Sequence, residues 1–342
     1  MKIKDKAIKF MEAVNKAKTI FISSHIGVDC DNIGSVTALF GVLKGMNKDV
    51  YMLESDTMPD AYKFLPNINE LRNPESLDFL PDLYVSLDSG DLNRLGPNVE
   101  TFKKAKYKVV IDHHDTNPGY GDLNIIDPEM SSTCQLLYEI FEALDLEISS
   151  DVATSLFSGI STDTGRFLYD NVSPRTFEIA GKLIELGADR SLANFNLFMN
   201  RPLRKLEILK VGLDKAEFLL DGYLAITDIS QKDLEDTGAS VDDLDEIVAF
   251  IRDTEGVEVS AIIKEYGDNF YKVSLRSKTC VNVGKLAQDL GGGGHIRAAG
   301  ASVYGNIEEI KEKIIAYVRE NKCWWSDFNR QGWRNYQLRC NS

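Results

Sequence analysis

The chain opens on an amphipathic stretch of mixed charge, "MKIKDKAIKFMEAVNKAK", and then alternates short apolar runs with helical patterns through its first half. Four runs read as strands: "TIFISSH" (Thr19 to His25), "DVYMLES" (Asp49 to Ser55), "DLYVSLD" (Asp82 to Asp88) and "YKVVIDHH" (Tyr107 to His114). Continuous apolar strands interleaved with helices predict a parallel, doubly wound α/β sheet covered on both faces. Three of the runs end in Asp or His, and such sheets collect their ligands at the carboxyl ends of the strands. The chemistry is expected along that edge.

Past "GRFLYDNVSPRTFEIAGKLIELGAD" the pattern stays mainly helical to about Phe218, without new strand-end polar groups. The grammar then changes. "GYLAITDIS" (Gly222 to Ser230), "VEVSAIIKEYGDNFYKVSLRS" (Val257 to Ser277) and "AGASVYG" (Ala299 to Gly305) predict a smaller sheet with packed helices, and Gly267, Asp268 and Asn269 mark a hairpin turn. At 342 residues the chain exceeds ordinary single-domain size. The expected division is an N-terminal domain over 1–187, a helical linker over 188–215, a smaller α/β domain with a mixed sheet over 216–321, and a tail over 322–342 outside the fold. That tail is set apart by composition, holding Trp324, Trp325 and Trp333, which are all three tryptophans, and a basic balance in an acidic chain.

Lys and Arg number 39 against 53 Asp and Glu, a net charge of −14. This argues against a broad grip on long duplex nucleic acid, and leaves room for a short anionic substrate where bound cations reverse the local field. No apolar run approaches the roughly 20 residues of a membrane helix, and the N-terminus lacks a signal-peptide core, so a cytoplasmic protein with no membrane contact is expected. The five cysteines, Cys30, Cys134, Cys280, Cys323 and Cys340, are scattered and never form a CxxC pair. Neither a disulfide framework nor a structural zinc site is expected.

The four histidines, His25, His113, His114 and His295, carry the remaining signal. His25 is followed by Asp29 and Asp31, with Gly27 between. On extended backbone i and i+2 face the same way, so both carboxylates can enter one cavity under the imidazole. Two oxygens and an imidazole suit manganese, iron or magnesium-like ions. The competing reading makes Asp31 a helix cap before "NIGSVTALFGVLKG", which explains one aspartate but not the histidine and the pair. Asp88, then Asp112, His113 and His114, stand at strand ends, and Asp163 follows a helical pattern in "LFSGISTDTGRFLY". Together they make an N/O-rich set large enough for two ions, which at about 3.5–4 Å separation would share a carboxylate and serve phosphoester hydrolysis.

With "SHIGVDCDNIGS", "SLDSGDLNRLG", "IDHH" and "GISTDTGRF" in that order, followed by "VSLRS" and "GGGGHIRAAG", the chain resembles the DHH phosphoesterase superfamily with its DHH-associated C-terminal domain. The resemblance implies two Mn2+, with Mg2+ or Co2+ as substitutes. His25, Asp29 and Asp88 would hold one ion, and Asp31, Asp88, His113 and Asp163 the other. It casts Asp88 as the bridge, Asp112 as the group that orients the histidine pair, and His114 as the contact to the scissile phosphate. It also makes Arg276, Gly291, Gly292, Gly293, Gly294 and His295 a substrate grip, with Arg297 as a weaker candidate. Val28 and Cys30 depart from the family pattern, and Cys30 reads as a space-filler.

Chain length and domain pairing resemble the small free-standing members, which implies hydrolysis of very short oligoribonucleotides and linear dinucleotides to mononucleotides. Activity on 3′-phosphoadenosine 5′-phosphate and a homodimer follow from the same resemblance. The alternatives are a cyclic-dinucleotide phosphodiesterase or single-strand exonuclease of the same superfamily, and a non-catalytic nucleotide-binding module.

Overall fold

Four short apolar runs in the first half are too brief for helices and are followed by segments that cover them, and with two briefer strands they assemble side by side as a parallel sheet. A computed structural model describes residues 3–323. Its first sheet holds β1 (Thr19–Ser23), β2 (Asp49–Leu53), β3 (Leu71–Arg72), β4 (Leu83–Leu87), β5 (Tyr107–Asp112) and β6 (Leu123–Ile126). The strand order is β3-β2-β1-β4-β5-β6, and every pairing is parallel. Ile20 of β1 lies between Val50 and Leu83, which fixes the register at the centre. The order reverses between β1 and β4, and a topological switch of this kind opens a crevice at the carboxyl ends of the two strands. The predicted doubly wound α/β sheet is borne out. Strands β3 and β6 were not foreseen, because two and four residues leave too little periodicity to read.

Helices α1 (Ile3–Lys16), α2 (Cys30–Gly45), α3 (Val99–Lys104), α4 (Thr133–Ala143), α5 (Ser150–Asp163), α6 (Pro174–Glu185) and α7 (Arg190–Asn194) belong to the same unit. Side-chain hydroxyls of Ser132, Ser149 and Ser173 accept the N–H groups that open α4, α5 and α6. Helix α2 is buried on nearly all sides, and Ile33, Leu39 and Leu43 are wholly inside. Each such side chain contributes roughly 1.5–3 kcal/mol of hydrophobic burial. Two glycines set how closely α5 can approach. A Cβ on Gly34 would lie 2.8 Å from the Ser155 carbonyl oxygen, and one on Gly159 would lie 2.9 Å from Asp31 Oδ1.

The chain divides into two compact units, the first running to Asn200 and the second beginning at Arg201. Residues 188–215, expected as a linker, are shared out: α7 and a π turn (Phe195–Met199) go with the first unit, while α8 (Leu203–Asp214) buries Ile208 in the second. The second unit holds β7 (Glu217–Leu219), β8 (Leu224–Ile229), β9 (Val259–Gly267), β10 (Phe270–Ser277), β11 (Gly293–Gly294) and β12 (Ala298–Tyr304). Helices α9 (Gln231–Thr237), α10 (Asp245–Arg252), α11 (Val283–Asp289) and α12 (Ile307–Glu320) accompany them.

The second sheet, ordered β11-β12-β10-β9-β8-β7, is mixed: β8 and β9 are parallel and the other pairs antiparallel, including the expected β9–β10 hairpin. One expectation is corrected here. Cys280 and Cys323 are joined as a disulfide, with Cα atoms 6.6 Å apart, a pairing that 43 residues of separation and the lack of a CxxC motif conceal. The tail expected at 322–342 lies, from residue 324 onward, outside the described residues.

Candidate metal centre

The first cluster forms where β1 gives way to α2. His25 is fully buried, and its N–H reaches Asn32 Oδ1 (3.2 Å), while Asn32 Nδ2 donates to the Leu87 carbonyl (2.9 Å) at the end of β4. Asn32 thereby ties the ends of β1 and β4 to the first turn of α2. His25 Nδ1 donates to the Ile26 carbonyl (3.0 Å), which leaves the Nε2 lone pair free for a cation. That nitrogen is 3.7 Å from Asp29 Oδ2 and 3.6 Å from Asp88 Oδ2. Gly27, at φ +71°, supplies the left-handed turn that carries the chain past the imidazole.

Asp29, not Asp31, caps α2: its Oδ1 accepts the Asn32 N–H at 2.9 Å. Asp31 is instead inside the first turn, so the two carboxylates converge through the helix start, not through i and i+2 on extended backbone. Asp31 meets the amino end of a second helix. The N–H groups of Thr133 and Cys134, at the start of α4, donate to its two oxygens at 2.7 and 2.9 Å. The positive end of the α4 dipole faces the same carboxylate.

Asp88 follows β4 with φ +56°, a left-handed conformation that costs a non-glycine residue about 1–3 kcal/mol and persists where the surroundings over-determine it. Its N–H is held by the Ile111 carbonyl (3.0 Å), and Thr133 Oγ1 donates to its Oδ1 (2.8 Å). The two carboxylate oxygens look in different directions. Oδ2 faces His25, whereas Oδ1 lies 3.6 Å from His113 Nε2.

His113 Nδ1 donates to the Met130 carbonyl (3.2 Å), so its Nε2 is the free nitrogen, 4.0 Å from Asp31 Oδ2 and 3.4 Å from Asp163 Oδ2 at the end of α5. Next to it, His114 Nδ1 donates to Asp112 Oδ1 (2.7 Å), and Asn117 Nδ2 donates to Asp112 Oδ2 (2.5 Å). Three groups could each hold an ion, with ligand atoms inside 4.8 Å of one another: His25, Asp29 and Asp88; Asp31, His113 and Asp163; and Asp88, His113 and His114.

The electrostatics match the geometry. Burial, then the charges of Asp31 and Asp29, push Asp88 well above the ordinary carboxylate range. Burial raises Asp31, and burial followed by the charge of Asp31 raises Asp163 well above its usual value. Burial lowers His25, against the opposing pull of the Asp29 charge. Burial opposes protonation of His113 too, but the charges of Asp163 and Asp31 prevail and raise it. Packed carboxylates that resist ionisation in one another's presence are what a divalent cation relieves. Asp112 differs: although burial works against its charge, bonds from His114 and Asn117 hold it below the usual range. Cys30 is buried, and burial pushes its thiol far up, in keeping with a space-filler.

In the second unit, the β10–β12 register sets Arg276 opposite Ala298, whose carbonyl accepts the His295 N–H at 2.8 Å. Arg276 and His295 therefore belong to one end of the sheet, and Arg276 Nη1 donates to the Leu275 carbonyl (3.0 Å). His295 and Gly291 to Gly294 are exposed. The four glycines prove to have a packing role. A Cβ on Gly292 would lie 2.1 Å from the Gly300 carbonyl oxygen, and one on Gly294 2.6 Å from Ala299 Cα. The N–H groups of Gly291 and Gly292 are already given to Gln288 and Ala287, which corrects the view that all four amides are offered to an anion. Arg297 Nη1 is buried without a hydrogen-bond partner.

Thr133, Asn32 and Asn117 were not foreseen as site residues. Thr133 left a signal as part of "SSTCQ", which reads as a helix start, and Asn32 falls inside "SHIGVDCDNIGS".

The family model for the DHH family, N-terminal domain, matches residues 19–160, and that for the DHHA1 domain matches residues 221–320. The chain is 33% identical over 305 residues to the bifunctional oligoribonuclease and PAP phosphatase NrnA of Thermus thermophilus, covering 88% of this chain and 89% of that one. It is 26% identical over 313 residues to the Bacillus subtilis protein of the same description, with 90% and 96% covered. Among solved structures, an exopolyphosphatase-related protein from Bacteroides fragilis superposes with a TM-score of 0.87 at 23% identity, covering 92% of this chain and 96% of that one. The chain belongs to the DHH family of phosphoesterases, as its motifs implied, and is a hydrolase of phosphoester bonds. Among the described residues no helix is long and apolar enough to cross a membrane.

Proposed function

We propose that this protein is a manganese-dependent phosphohydrolase that degrades very short oligoribonucleotides and linear dinucleotides to mononucleotides and dephosphorylates 3′-phosphoadenosine 5′-phosphate. The carrying observation is Asp88, whose two oxygens face two different ligand groups, as a bridge between two cations requires. In this reading His25 and Asp29 complete one group and Asp31, His113 and Asp163 the other. A bound pair of cations would supply charge neutralisation for the phosphate and an activated water as nucleophile.

The chain's own residues do the rest. Asp112 fixes the direction of His114 through the 2.7 Å bond and would balance the charge of its imidazolium form, in which the opposite ring nitrogen serves the leaving oxygen as hydrogen-bond or proton donor. Bonds from Thr133 and Cys134 hold the bridging and inner carboxylates in place before substrate arrives. Residues 1–187 carry this chemistry, and residues 216–321 carry the grip on the nucleotide: Arg276, His295 and the glycine loop, with Arg297 Nη1 as the buried donor that an anion would satisfy. The names of the relatives support the substrate class.

The test is a panel of dinucleotides, long single-stranded RNA, short DNA, cyclic dinucleotides and 3′-phosphoadenosine 5′-phosphate, each with Mn2+ and with chelator. Metal-dependent turnover that is fastest on dinucleotides and 3′-phosphoadenosine 5′-phosphate is expected. Equal rates on long and short chains, or undiminished turnover after metal stripping, overturn the reading.

A further inference from the structure

Arg94 has no part in the site as described so far. It sits in the 3-10 stretch after β4 (Leu92–Asn98), on a loop fastened to the His25 loop: the Ile26 N–H donates to the Arg94 carbonyl at 2.8 Å. At Gly96, φ +54°, a Cβ would lie 2.5 Å from Ile26 Cγ2, so only glycine allows the two loops this close. The guanidinium, half-buried, rests with Nη2 3.1 Å from His25 Nδ1 and 3.4 Å from His25 Nε2.

Neither ring nitrogen serves it as an acceptor. Nδ1 carries the proton given to Ile26, and the Nε2 lone pair is directed at the carboxylates of Asp29 and Asp88. An atom so close to both nitrogens cannot lie along the lone pair of either. Asp29 and Asp88 adjoin the same imidazole, yet among the described residues Arg94 forms no ion pair with a carboxylate. A rigid fork of five donors is thus held at the rim of the cluster without an anion to receive them.

We propose that Arg94 is a substrate-binding residue that grips a phosphoryl oxygen on the His25 side of the cluster. The inference rests on the phosphohydrolase reading and adds to it. His25 and Arg94 stand on the Oδ2 side of Asp88, and His114 lies 3.8 Å from its Oδ1. A phosphate bound at Asp88 therefore meets a donor from each side. The fork matches two phosphate oxygens, which lysine would hold only as a point charge.

The experiment compares the full chain with Arg94→Gln and Arg94→Lys, using three readouts. These are calorimetric titration of Mn2+ into the metal-free protein, calorimetric titration of inorganic phosphate into the Mn2+-loaded protein, and KM and kcat for 3′-phosphoadenosine 5′-phosphate. Loss of a charge-assisted contact predicts about a tenfold or greater fall in phosphate affinity and a matching rise in KM for R94Q, with R94K between and Mn2+ affinity unchanged. Equal phosphate affinity in R94Q and the parent overturns the proposal. A parallel fall in Mn2+ affinity also overturns it, since Arg94 would then be a support for His25. If the parent turns over none of the nucleotides while R94Q still loses phosphate binding, the substrate reading fails and the anion site stands.

Discussion

The two units of this chain prepare their candidate functional groups in opposite ways. In the first, His25, Asp31, Asp88 and Asp112 are buried and each side chain is held by a hydrogen bond: with the adjacent Ile26 carbonyl, the α4 amides, Thr133 and Asn117 respectively. In the second, His295 and the glycine loop are exposed, and the backbone N–H groups of His295, Gly291 and Gly292 are bonded to nearby carbonyls. Reaction chemistry requires charge at fixed positions in a low dielectric, where a misplacement is costly. Recognition of a nucleotide tolerates water and adjusts to the ligand. On the proposed function, the interior of the first unit would set the reaction and the surface of the second would contribute to recognition.

The sharpest break of that comparison is Asp88→Ala. It is expected to lower kcat by about a thousandfold or more, because the loss touches both ligand groups at once. Bound Mn2+, counted by elemental analysis, should fall with it; a variant with parental kcat removes the first unit from the chemistry. Thr133→Val is milder. It deletes the 2.8 Å bond to Asp88 while leaving the backbone bonds to Asp31, and outer-shell losses of this kind cost about 10–100-fold in metal affinity or activity.

On the second unit, His295→Ala is expected to raise KM about tenfold with kcat retained, the pattern of lost uniform binding. A drop in kcat at constant KM would instead place His295 in the reaction. The smallest effect concerns pH. Asp31, Asp88 and Asp163 keep their protons to higher pH folded than unfolded, so the folded metal-free protein binds more protons between the ordinary carboxylate range and the raised values. Its stability should rise as pH falls through those raised values and level off near about pH 4. With Mn2+ bound the slope should reverse, since protons compete with the cation. Melting temperatures of both forms across that window check the sign.

Strand-end chemistry was legible because a parallel sheet displays its carboxyl edge in the sequence: apolar runs stop at His25, Asp88 and Asp112. What supports those residues was not legible. Thr133 and Asn117 are ordinary polar residues whose partners lie 45 and 5 positions away, and only the folded chain brings them together. The sequence offers Asp31 only as a competing cap for α2, and that the cap is Asp29 depends on a backbone angle that composition does not carry. Glycine ran the other way. "GGGG" suggested open amides, but Gly292 and Gly294 answer to the crowding of β12, a constraint from a strand that comes later in the chain.

The amides of α4 that receive Asp31 have a consequence for the stability of the cluster. A cage lined with carboxylates would normally repel itself open until a cation arrived. Here a helix end offsets part of that repulsion from within the polypeptide, so some of the cage's hold on its own charge comes from peptide dipoles that need no cation.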